Sequence, residues 1–136
     1  MNRYVAVVDG EAGAYGVVFP DLPGCTSGGA TLDEAMRNAA EAARLWAEEM
    51  RAQDGEIPVP RSAEDIARDP DIAADLRNGA ILTAVPMVLD SGRPAKANIS
   101  LDAGLLAAID AAAAERRLTR SAFLASAARE KIESGG

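Results

Sequence analysis

No histidine occurs anywhere in the 136 residues, and that absence excludes more chemistry than any motif supplies. Ser–His and Cys–His nucleophilic pairs are ruled out, and a metal would have only carboxylates and one thiol to bind it. The single cysteine, Cys25, excludes an internal disulfide framework and fits a reducing, cytoplasmic setting. No apolar run is long enough to span a bilayer, and the first nine residues lack the basic-then-apolar layout of a secretory leader. No membrane partner is therefore expected. Aromatic residues make up only 4% of the chain within a hydrophobic share of 49%, so the core must be built from Ala, Val, Leu and Ile. Catalytic residues, metals and cofactors are all expected to be none.

Basic residues are scarce too, but unevenly so. Residues 1–90 hold seven Arg and Lys against sixteen Asp and Glu, a balance of −9, whereas residues 91–136 hold seven against five, a balance of +2. An acidic body with a slightly basic tail points to two partners of opposite sign, something basic for the body and something phosphate-rich for the tail. The composition shift at Ser91-Gly92-Arg93-Pro94 marks the expected boundary, giving domains at 1–90 and 91–136.

The tail carries the clearest pattern. Across Ala95–Leu101, Lys96, Asn98 and Ser100 fall on one face, while Ala97, Ile99 and Leu101 fall on the other, as in a half-buried strand. A lone strand cannot satisfy its own backbone groups, and only helical segments follow. The simplest partner is the same strand from a second copy, forming a two-stranded antiparallel ribbon across a dimer axis. Asp102 is a good N-cap for a helix with Leu105, Leu106, Ile109 and Ala113 at helical spacing. Arg116-Arg117-Leu118 leads into a break, Thr119 caps a second helix bearing Phe123, Leu124, Ala127, Ala128 and Ile132, and Gly135-Gly136 closes the chain.

Strand, helix, turn and helix in this order resemble the ribbon-helix-helix family of dimeric DNA-binding proteins. The resemblance implies that Lys96, Asn98 and Ser100 read base edges in operator DNA. It also implies that backbone amides around Thr119, Arg120 and Ser121 hold a phosphate, and that Ile99, Leu101, Leu106, Ile109, Phe123 and Leu124 form a dimer core.

In the body, Arg3–Asp9 reads as a buried strand, Gly10–Gly13 as a hairpin loop and Tyr15–Phe19 as the returning strand, stopped by Pro20. Pro23-Gly24 fits a type II turn, and Cys25–Ser27 a short third strand before a Gly28-Gly29 loop. Thr31-Leu-Asp-Glu34 forms a capping box for a helix to about Ala52. Its expected buried stripe is Leu32, Ala35, Met36, Ala39, Ala43, Trp46 and Met50. A loop over Asp54–Arg61, a capped turn over Ser62–Ala67 and a short helix over Pro70–Asn78, ended by Gly79, lead to a strand over Ala80–Leu89. Pro86 within it argues for a sheet edge or for the place where the strand bends away.

The segment Pro20-Asp-Leu-Pro-Gly-Cys25, followed by Gly28-Gly29 and Thr31…Glu34-Ala35, resembles the HicB antitoxin family. The resemblance implies an α+β fold: a partial RNase H-like domain with a small antiparallel sheet and one main helix, plus the C-terminal ribbon-helix-helix dimerisation domain. It further implies that the body occludes a HicA-type toxin, a small basic ribonuclease. The tail would bind operator DNA as a homodimer, open to higher homo-oligomers, and autorepress the operon. Cys25, with no histidine to activate it, is expected to be a small buried hydrophobe. Two competing readings remain. One is a nuclease using Asp9, Asp21, Glu34 and Glu41 as metal ligands. The other is a stand-alone repressor whose N-terminal domain senses a small molecule.

Overall fold

The structure, a computed structural model, describes residues 2–134. Its elements run β1 (Asn2–Glu11), β2 (Ala14–Val18), β3 (Thr26–Gly29), α1 (Leu32–Ala52), α2 (Ala63–Ala67), α3 (Pro70–Arg77), β4 (Ile81–Met87), α4 (Ala103–Glu115) and α5 (Arg120–Glu133). The chain divides into two compact units, Met1–Leu89 and Asp90–Gly136.

In the first unit the four strands form one antiparallel sheet in the order β3-β2-β1-β4. β1 pairs with β2 through a tight hairpin, with Glu11 opposite Ala14. Gly13 takes a φ of +96°, a conformation that a side chain would strain. Alternate β1 residues Tyr4, Ala6 and Val8 join Val17, Phe19, Val85 and Met87 in a cluster that packs on α1. Val5 and Val7, between them, are buried as well but outside that cluster. Pro86 sits on β4, the edge strand, where a missing N–H can be tolerated.

Thr31 caps α1, its hydroxyl accepting from the Glu34 amide at 3.1 Å. The buried stripe differs from the expected one: Ala35, Ala39, Ala40, Ala43 and Ala47 carry it. Leu32 is 44% exposed, and Met36, Trp46 and Met50 are half-buried at the flanks. The physical reason is distance. Only methyl groups fit where the helix backbone comes down onto the sheet.

The Gly28-Gly29 loop is corrected as well, since both glycines are strand residues of β3, paired with Gly16 and Tyr15. A Cβ on Gly28 would lie 2.5 Å from the Tyr15 carbonyl oxygen, and one on Gly29 would lie 2.6 Å from the Ala35 amide nitrogen. Glycine lets β3 pass under the first turn of α1.

The second unit is smaller. Asp102 caps α4 by accepting from the Gly104 and Leu105 amides, and Thr119 caps α5 by accepting from Ala122 N. Arg117, at φ +56°, turns the chain between them. Residues 95–101 form neither helix nor paired strand. A strand exists only through its ladder, and the ladder expected for Ala95–Leu101 runs between two copies of the chain. Gly135-Gly136 lies outside the described residues.

Candidate functional site

The Pro20–Cys25 segment is built as a clasp. Leu22 N donates to the Phe19 carbonyl and Cys25 N to the Leu22 carbonyl, closing two successive turns, with Gly24 at φ +82° in the second. Leu22 is fully buried and Cys25 nearly so; burial pushes the Cys25 thiol above its ordinary value. The thiol is thus held in its unreactive form. Trp46 Nε1 donates to the Pro23 carbonyl at 2.9 Å, tying the turn to α1.

Among the described residues of the first unit, Asp21 is the one buried charged side chain. Its carboxylate accepts from Arg61 twice, from the backbone N at 2.7 Å and from Nε at 2.6 Å. Nearby, the fully buried Tyr4 donates its hydroxyl to the Pro58 carbonyl, and burial raises that hydroxyl's pKa. These two contacts fasten the loop between α1 and α2 at Pro58 and Arg61. Between them Val59 stands 85% exposed. A cavity of about 290 Å³ opens beside this loop, lined among others by Tyr4, Arg51, Ile57 and Met87.

A carboxylate that holds a guanidinium is not offering itself to a metal. Among the described residues no three of His, Cys, Asp and Glu group closely enough to hold an ion. The two hydrogen bonds from Arg61 give Asp21 a structural role in the clasp.

In the second unit Lys96, Asn98 and Ser100 are all exposed. Of the six residues expected in a dimer core, Ile109 is buried, Leu106, Phe123 and Leu124 are half-buried, and Ile99 and Leu101 remain 63% and 38% exposed. Leu105, Leu118 and Ile132 add to this uncovered apolar surface.

At the start of α5 the Thr119 hydroxyl is used in capping, and Ser121 is exposed. The Arg120 guanidinium forks onto Asp110 of α4, Nε to Oδ1 and Nη2 to Oδ2, each at 2.8 Å. The hydrogen bond from Arg120, aided by its charge, holds the Asp110 carboxyl below its ordinary range, and Arg120 is raised in turn. Arg116 lies over the Phe123 ring, 5.6 Å from its centre, while Arg129 donates to Asp90. Sequence patterning gave no notice of these pairings, because each joins residues from different segments.

A family model described as the HicB-like antitoxin of bacterial toxin–antitoxin systems matches residues 4–128. The chain belongs to the HicB-like antitoxin family. It is 39% identical over 98 residues to an uncharacterized 14.9 kDa protein from the rep–hol intergenic region of Haemophilus phage HP1, covering 71% of this chain and 70% of that one. The crystal structure of the Burkholderia pseudomallei antitoxin HicB is 34% identical, with a TM-score of 0.58 over 97% of this chain and 99% of that one. The N-terminal domain of that HicB, crystallised by itself, is 27% identical with a TM-score of 0.52, over 64% of this chain and 99% of the domain. The HicB-like resemblance read from Pro20–Cys25 and the capped helix is thereby shown. So is the coarse architecture, an α+β fold with a four-stranded antiparallel sheet and five helices among the described residues. No helix among the described residues is long and apolar enough to cross a membrane.

Proposed function

We propose that the first unit, a partial RNase H-like domain, binds and occludes a HicA-type toxin, a small basic ribonuclease. The second unit is a ribbon-helix-helix module that dimerises and binds operator DNA to repress the operon encoding both proteins. The acidic balance of residues 1–90 supports the first half, since a negative surface steers a basic partner and excludes RNA from it.

The observation that carries the second half is the uncovered apolar surface of Asp90–Gly136. A unit this small, in which Ile109 and Ala113 alone are buried among the described residues, lacks a core of its own. Two copies that pair residues 95–101 would cover Ile99 and Leu101 together. They would also present Lys96, Asn98 and Ser100 twice on the opposite face, within reach of one major groove.

The test separates the halves. Lys96→Ala or Asn98→Ala should weaken operator binding by about 1–3 kcal/mol for each lost base contact, with toxin neutralisation intact. Binding is read by fluorescence anisotropy and neutralisation by co-expression with the adjacent small open reading frame. Equal loss of both activities would refute the division of labour. The cavity beside Tyr4 favours a second reading, a stand-alone repressor that senses a small molecule. A ligand that loosens duplex binding with no protein partner present would support it.

A further inference from the structure

The C-terminal unit is a weakly charged DNA-binding module on the reading above, and its charges are spent unevenly. Arg116 is placed over Phe123 and also donates to the Ala112 carbonyl, Arg129 donates to Asp90, and Arg120 is forked onto Asp110. Arg120 is the first residue of α5, beside the helix amides that the DNA-binding reading gives to a phosphate, so its guanidinium lies where it could add a second contact. Both members of the Asp110–Arg120 pair are about half exposed, which leaves them in the screened, exchangeable regime and not in a buried lock. A carboxylate held by two parallel hydrogen bonds mimics the geometry in which a guanidinium takes a phosphate.

We propose that Asp110 is a restraining residue. It occupies the Arg120 guanidinium as an internal substitute for a DNA phosphate and thereby lowers sequence-independent affinity for duplex DNA. The inference rests on the DNA-binding reading and adds to it. Every duplex competes with Asp110 for the same donors, so the part of binding that carries no sequence information is held down. Base reading by Lys96, Asn98 and Ser100 is left as the larger share. Specificity is a ratio, and reducing the common term raises it.

The experiment is a double-mutant cycle on the full-length chain with a mixed-sequence duplex as probe, titrated at salt concentrations from about 50 to 200 mM. Asp110→Asn keeps the shape of the side chain and one hydrogen bond to Arg120 but releases the charge. It should tighten binding roughly threefold to tenfold at the low-salt end and steepen the slope of log K against log salt by about 0.9, the signature of one added phosphate contact. In the Arg120→Gln background the same change should give neither effect.

Equal tightening in both backgrounds would mean that Asp110 acts by general repulsion, which overturns the proposal, as would unchanged or weaker binding by Asp110→Asn. A parent chain and variants that all ignore duplex DNA would refute the DNA-binding reading itself. Binding by the parent without the cycle's coupling would refute only the role of Asp110. Thermal melts followed by circular dichroism confirm that each variant is folded.

Discussion

Asp21 shows how a single side chain can matter for a reason that no local pattern reveals. In sequence it is a plain turn residue within Phe-Pro-Asp-Leu-Pro-Gly-Cys. In the structure it is buried and receives two hydrogen bonds from Arg61, forty positions away. Asp21→Ala would strand the Arg61 amide and free the loop after α1. The expected cost is about 1–3 kcal/mol, read as a lower midpoint in urea with an unchanged slope. Asn at the same place can still accept from the amide and should recover part of the loss. The neighbours were legible in advance because their roles are local: Pro20 stops a strand, Gly24 takes a positive φ in a turn, and Cys25 is small and buried. A role that depends on a contact across the chain leaves no such imprint.

Elements were legible to the extent that local composition and punctuation define them. An apolar run before the Gly10–Gly13 hairpin located β1, Pro20 stopped the returning β2, the Thr31 cap fixed the start of α1, and Pro86 marked the sheet edge. Periodicity could not rank the residues along α1, because it does not know how near the sheet will come. The bulky Leu32 lies outward and Ala40 and Ala47 lie inward. Substituting Ala43 by Leu should therefore cost about 1–3 kcal/mol through overpacking, despite leucine's good helix propensity. A hydrogen-exchange measurement should show the loss of protection concentrated in α1 and β3.

The α4–α5 pair makes a prediction about pH. The Asp110 carboxyl is held below its ordinary value of 3.8, chiefly by its hydrogen bond from Arg120. A carboxyl depressed in the folded state adds stability that is fully present above its unfolded value. That stability is lost as pH falls through the lower folded value. The staple should thus be indifferent to pH between 5 and 8 and fail only in strong acid. Carbon-detected NMR of the Asp110 carboxyl should titrate below 3.8, and Arg120→Gln should move it back up.

At the scale of the molecule, two units of unequal self-sufficiency share one chain. The first has a sheet, a covering helix and a cluster of buried side chains. The second buries little, so its stability should depend on protein concentration if it pairs with another copy. Phe123→Ala should weaken that pairing by about 2–5 kcal/mol, seen in sedimentation equilibrium as a shift toward the single chain. A chain ended before Asp90 should keep its fold and lose the concentration dependence. The charge balance changes near residue 90, but the Ala95–Leu101 ribbon could be read only as an intention of the sequence. Alternating side chains tell which residues share a face and say nothing of what lies opposite.

The position of Trp46 gives these units separate optical voices. The chain's sole indole is hydrogen-bonded to the Pro23 carbonyl, and both tyrosines belong to the same half, whereas Asp90–Gly136 contains no aromatic residue but Phe123. Intrinsic emission excited at the red edge therefore listens to the sheet-bearing half alone, while far-ultraviolet ellipticity hears every helix. If the halves melt independently, the two signals will part company along one denaturation curve, with no label attached and no residue changed.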